Sequence, residues 1–123
     1  MTTRVVISVE SFEEGMARAH DIARRVDAGE RLPEADYRLS FANAAQLFSE
    51  LTPARLALLE ALKLSGAQSI RALAKHLGRN YSNVHRDVAK LMEHELVAKD
   101  AESRVFVPWA EIRITLSLGE VAA

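Results

Sequence analysis

The stretch S-I-R-A-L-A-K-H-L-G-R-N-Y-S-N-V-H-R-D-V-A-K-L-M-E-H-E-L, Ser69 to Leu96, decides how the chain is read. Ile70, Leu73, Ala74 and Leu77 recur at helical spacing behind a Ser69 cap, which predicts a helix over 70–77. Gly78 stands where the residue after a helix adopts positive φ, and Gly78-Arg79-Asn80 forms a three-residue turn. A longer helix follows over 81–95. Its inward residues are Tyr81, Val84, Val88, Leu91 and, at the end, Leu96. Its outward residues are Ser82, Asn83, His85, Arg86, Ala89, Lys90 and Glu93. Two helices joined this tightly need a small residue four positions before the Gly and an aliphatic anchor six after it. Ala74 and Val84 meet both demands.

The same stretch concentrates positive charge. Between Gly66 and Met92 stand Arg71, Lys75, Arg79, Arg86 and Lys90 against Asp87 alone, a local charge of +4. Residues 1–65 carry 8 Lys/Arg and 10 Asp/Glu, residues 93–123 carry 3 and 6, and the whole chain stands at −1. Only charges near a polyanion count when screening acts over about 8–10 Å, so the patch matters more than the total.

Working toward the N-terminus, Thr52 caps a helix that begins with Pro53 at its first position and runs to Leu64, with Leu56, Leu59 and Leu62 on one side and Leu58 widening the stripe. Ser65-Gly66 ends it. Before it, Ala42–Glu50 favours helix, and Tyr37–Phe41 alternates as a short strand able to pair with the first one. Gly29–Asp36 is a connector containing Pro33. Arg4–Glu10 is a strand with Val5, Ile7 and Val9 on one face. Ser11 and Glu14 form a capping box for a helix from Phe12 to about Ala28. In that helix Phe12, Met16, Ala19, Ile22, Ala23 and Val26 recur at helical spacing, while Glu13, Arg18, Asp21 and Arg25 read as a solvated side. A boundary near residue 35 separates a strand–helix extension, 1–35, from a main domain, 36–123.

Toward the C-terminus, Leu96–Lys99 and Arg104–Val107 flank four polar or small residues and read as a β-hairpin. Pro108 and Trp109 break it. Glu111–Leu118 alternates strictly, with Ile112, Ile114, Leu116 and Leu118 on a face that requires burial.

Composition removes several classes of function. With 123 residues, 49% apolar and 27% charged, the chain is long enough for a core without covalent staples. It has no Cys, which excludes disulfides, thiolate metal sites and a cysteine nucleophile. No apolar run suits a bilayer span or a signal peptide, so no membrane association is expected and the cytoplasm is the default compartment. His20, His76, His85 and His94 lie at no metal-ligand spacing, and neither H-E-x-x-H, G-x-S-x-G nor a Gly-rich phosphate loop occurs. The expectation is a protein without catalysis, cofactor or metal.

Three helices followed by a hairpin is the order of a winged helix-turn-helix. The expected fold is therefore α+β: a winged helix-turn-helix with an N-terminal strand–helix extension and a C-terminal strand. On such a scaffold Ser82, Asn83 and Arg86, in the first two turns of the second helix, suit base edges in the DNA major groove. Arg71, Lys75, Arg79, Asn80 and Lys90 suit phosphates, as do the N–H groups that open the long helix. Tyr81 reads equally as a core-edge residue or a phosphate contact, and His85 as a solvated histidine or a DNA contact. Lys99 and Arg104 flank the hairpin loop and could reach the minor groove, although Asp100 and Glu102 between them repel phosphate.

The segments L-T-P-A-R-L-A-L-L-E-A-L, S-I-R-A-L-A-K-H-L-G-R-N-Y-S-N-V-H-R-D-V-A-K-L and R-V-F-V-P-W-A-E-I-R-I resemble small predicted prokaryotic transcription regulators with a MarR-like winged helix-turn-helix. S-F-E-E and F-A-N-A-A-Q-L-F resemble the same group. The resemblance implies binding of double-stranded DNA as a dimer, with Ser82, Asn83, His85 and Arg86 on the recognition helix. Some such proteins sit beside toxin genes, which implies an antitoxin-like autorepressor as the alternative. Glu95 departs from the group, which carries Gly there. The expectation is a homodimeric repressor, its dimer contact made by the N-terminal strand–helix unit and the C-terminal strand. A protein-interaction module that neutralises a toxin is the second reading.

Overall fold

A computed structural model of the chain describes residues 3–32 and 36–118. Its elements are β1 (Arg4–Val9), α1 (Phe12–Asp27), β2 (Tyr37–Phe41), α2 (Ala44–Glu50), α3 (Pro53–Ser65), α4 (Ile70–Leu77), α5 (Tyr81–Glu93), β3 (Ala98–Lys99), β4 (Val105–Phe106) and β5 (Glu111–Thr115). The α+β class is the expected one.

Local chemistry sets the helix starts. The hydroxyls of Ser11, Thr52 and Ser69 accept from the N–H groups of Glu14, Arg55 and Ala72, each filling an otherwise orphaned donor. Gly78 ends α4 at φ +64°, a left-handed conformation that costs a residue with a Cβ about 1–2 kcal/mol.

The chain forms two compact units: residues up to Phe48 with those from Ala110 onward, and Ser49–Trp109. In the first, β1 is the central strand of an all-parallel sheet, order β2-β1-β5. A parallel connection needs a crossover, which α1 supplies between β1 and β2. Val5 and Ile7 are registered with Tyr37 and Leu39 on one side and with Ile112 and Ile114 on the other. These residues share one sheet face; Val6 and Ser8, with Arg38, Ser40, Arg113 and Thr115, share the opposite one. Val5, Ile7, Phe41 and Leu47 are buried.

This arrangement divides the chain elsewhere than at residue 35. β2 does pair with β1, as its alternation suggested, and so does β5, so the C-terminal strand belongs with the N-terminal strand rather than with the helices of 49–109. The physical reason is that β1 presents backbone donors and acceptors along both edges, and alternation identifies strands without naming their partners. The burial expected for the face of β5 is also incomplete: Ile112 is half-buried, Ile114 and Leu116 are more than one-third exposed, and Leu118, beyond the strand end, is 81% exposed.

The second unit packs α3, α4 and α5 around Leu58, Leu59, Leu62, Leu73, Ala74, Val84, Val88 and Leu91. Leu51, Leu96, Val97 and Val105 complete that core. β3 and β4 pair antiparallel as the expected hairpin, and Gln68 adds a bridge on the far side of β4, exchanging both backbone hydrogen bonds with Val105. Of the side chains expected inward on α5, Val84, Val88 and Leu91 are buried, whereas Tyr81 in the first turn is 44% exposed.

Candidate nucleic-acid interface

α5 is anchored by an ion-pair network that its hydrophobic pattern does not announce. Asp87 is buried, and its carboxylate accepts from Arg55 Nε at 3.0 Å and Arg79 Nη2 at 2.7 Å. Arg55 starts in α3, where its Nη1 also donates to the Glu50 carbonyl at 2.9 Å, and Arg79 lies in the turn between α4 and α5. Burial pushes the Asp87 carboxyl upward. Hydrogen bonds from Arg79 and Arg55, with their charges, outweigh it and hold the group below its ordinary value. The sole acid among residues 66–92 is thereby turned inward and neutralised.

The outward side of α5 is correspondingly free of acid until Glu93. Ser82, Asn83, His85, Arg86, Ala89 and Lys90 are all exposed, and so are Arg71 and Lys75 on α4. At 100° per residue, Ser82, Arg86 and Ala89 run beside Asn83, Arg86 and Lys90 as one stripe along the helix. Lys90 is loosely paired with Glu93 at 3.5 Å. At the start of the stripe the Arg71 guanidinium lies over the Tyr81 ring, 5.2 Å from its centroid, and the His85 ring is 5.9 Å from Tyr81. Tyr81 thus acts as a surface shelf that positions a cation and an imidazole.

Three residues expected at phosphates or the minor groove are engaged within the chain. Arg79 is half-buried on Asp87, and its buried Nη1 has no hydrogen-bond partner among the described residues. Asn80 is the N-cap of α5: its side-chain oxygen accepts from the N–H groups of Ser82 and Asn83, two of the donors expected to be free at the helix start. Arg104 is paired with Asp100 at 2.9 Å and Glu102 at 3.3 Å. Hydrogen bonds from the Arg104 and Glu102 N–H groups and from the Arg104 guanidinium hold the Asp100 carboxyl below its ordinary value. Lys99, in contrast, shares a shallow hollow of about 100 Å³ with Ile70, His85, Val88, Ala89 and Met92, which sets it beside the outward side of α5.

No described helix is long and apolar enough to cross a membrane. Among the described residues no group of three His, Cys, Asp or Glu side chains could hold a metal ion. A family model matches residues 50–114, just over half of the chain. The chain belongs to the HVO_A0114 family. The HVO_A0114 match takes in nearly all of the second compact unit and continues into β5, so Asp87, both of its arginines and the exposed stripe all fall inside it. No curated protein and no solved structure matches the chain.

Proposed function

We propose that this HVO_A0114-family protein is a sequence-specific regulator of transcription that binds double-stranded DNA as a dimer, with no catalytic step. In this reading residues 49–109 are a MarR-like winged helix-turn-helix, α5 enters the major groove, and the protein acts in the cytoplasm as a repressor. The observation that carries it is the disposition of charge on α5. One face is locked into the core through Val84, Val88, Leu91 and the neutralised Asp87, and the other exposes Ser82, Asn83, His85 and Arg86 with cations at both ends. A helix of 13 residues is about 20 Å long and, with side chains, 10–12 Å across, which suits a groove about 12 Å wide.

Within the proposal, Asn83 and Arg86 take base edges, Ser82 adapts, and Arg71, Lys75, Lys90 and Lys99 take phosphates. Arg79 and Asn80 act on the placement of α5 rather than on DNA directly. Four phosphate cations per protomer give two copies a slope of log affinity against log salt of about −7, at about −0.9 per phosphate. A mobility-shift assay on the protein's own upstream DNA across a salt series tests this. Arg86→Ala should weaken operator binding at least tenfold, the value of a lost bidentate base contact, with an unchanged far-UV spectrum. Equal, weak binding to operator and unrelated DNA would refute the assignment.

A second reading, an antitoxin-like module that also neutralises a protein partner, is favoured by the apolar side chains that the first unit leaves in solvent. Phe12 is 82% exposed on α1. Co-purification with the product of a neighbouring gene is its test.

A further inference from the structure

We infer that α1 is the contact between two copies of this chain, packed antiparallel across a two-fold axis at Ala19. This deepens the dimeric part of the proposed function. α1 is an amphipathic helix with no buried residue. Phe12, Met16, Ala19, Ala23 and Val26 follow one another at intervals of four, three, four and three residues, the spacing of a coiled-coil seam, and all five are exposed. Phe12, Met16 and Val26 are more than half exposed. A helix that crosses between two strands ordinarily turns its apolar seam toward the sheet. Here the seam faces solvent, and Gly15, Arg18 and Asp21 occupy the less exposed side.

The charges on α1 specify the occupant. Its first turn carries Glu13 and Glu14 and its last turn Arg24 and Arg25. Counted from Ala19, Phe12 and Val26 lie seven residues to either side, Glu13 and Arg25 six, and Glu14 and Arg24 five. An antiparallel copy therefore sets Phe12 against Val26 and both glutamates against both arginines, while a parallel copy sets acid on acid. The small side chain of Ala19 lets the helices approach at the axis. Arg24 pairs with Asp21 and Arg25 with Glu30 on the surface of a single chain, exposed contacts that can be exchanged across the axis. The helix is its own electrostatic complement, so a second copy meets the requirement that a foreign helix would have to match.

The test is sedimentation of the full chain. Wild type should be dimeric at tens of micromolar, and Met16→Glu/Ala23→Glu should raise the dissociation constant at least 100-fold with an unchanged far-UV spectrum, because both sites are exposed. Orientation follows from cross-linking, since the chain has no cysteine to interfere. Under oxidation Phe12→Cys mixed with Val26→Cys should give a disulfide-linked pair, and neither variant should link to itself. A monomeric wild type, a dimer unmoved by the two glutamates, or self-linked Phe12→Cys would each overturn the assignment. Failure here is separable from failure of the DNA reading, because one protomer on a half-site duplex still reports Arg86.

Discussion

Asp87 illustrates how one carboxylate can determine what a helix shows to its surroundings. Removing it leaves the Arg55 and Arg79 guanidinium groups without their shared acceptor in a site that is largely closed. Asp87→Ala should therefore destabilise the fold by about 2–4 kcal/mol in chemical denaturation, in the range for breaking one side of a sheltered ion pair. The pH dependence has a definite sign. The folded-state pKa of Asp87 is depressed, so its contribution is present above the ordinary aspartate value of about 3.9 and is lost as pH falls through the depressed value. Asp87→Asn should flatten the acid limb of stability below about pH 4 relative to wild type. Glu95 makes the opposite case. It holds φ +62° without being glycine, so Glu95→Gly should raise stability by up to about 1 kcal/mol, read as a higher melting temperature. Sequence pattern carried half of this. At 100° per residue position 87 lies about 40° from 91 and about 60° from 84 on the helical wheel, at the edge of the inward stripe, but its charge placed it outside any apolar pattern. Its partner Arg55 is 32 residues away, beyond the reach of local periodicity.

Between elements, the readable features are those settled within a few residues. The caps at Ser11, Thr52 and Ser69 and the left-handed Gly78 were legible because acceptor, donor and turn geometry lie within about one helical turn. Strand partners were less so: β5 joins β1 across more than 100 residues of chain, and the Gln68 bridge to Val105 involves one residue, too few for a pattern. The start of α5 mixes both kinds. Asn80 has the composition of a DNA contact and the position of a cap, and the structure uses its oxygen for the cap. Asn80→Ala should accordingly cost about 1 kcal/mol of stability. In the proposed function it should lower affinity for operator and unrelated DNA by the same factor, since it alters how α5 is held and not what α5 reads. A change in the ratio of the two affinities would instead assign Asn80 to a base.

At the scale of the molecule, the two units enclose very different cores. Among the described residues, the buried apolar ones of the first are Val5, Ile7, Phe41 and Leu47, while twelve such residues run from Leu51 to Val105. At about 1.5–3 kcal/mol for each large aliphatic side chain removed from water, this difference exceeds any contrast that surface ion pairs could restore. Residues 49–109 should therefore outlast the sheet in urea. The single tryptophan makes the order observable, because Trp109 belongs to the second unit and donates its indole N–H to the Glu95 carbonyl at 2.8 Å. Trp fluorescence should report a midpoint above that of the first phase in far-UV circular dichroism, which also follows α1. If α1 is the contact between copies, association stabilises only the folded first unit, by mass action. A tenfold increase in protein concentration should then raise the midpoint of the early phase and leave the fluorescence midpoint in place. Coincident midpoints at every concentration would mean that the sheet and the helical unit unfold as one body, and that the first is held up by more than the burial of Val5, Ile7, Phe41 and Leu47.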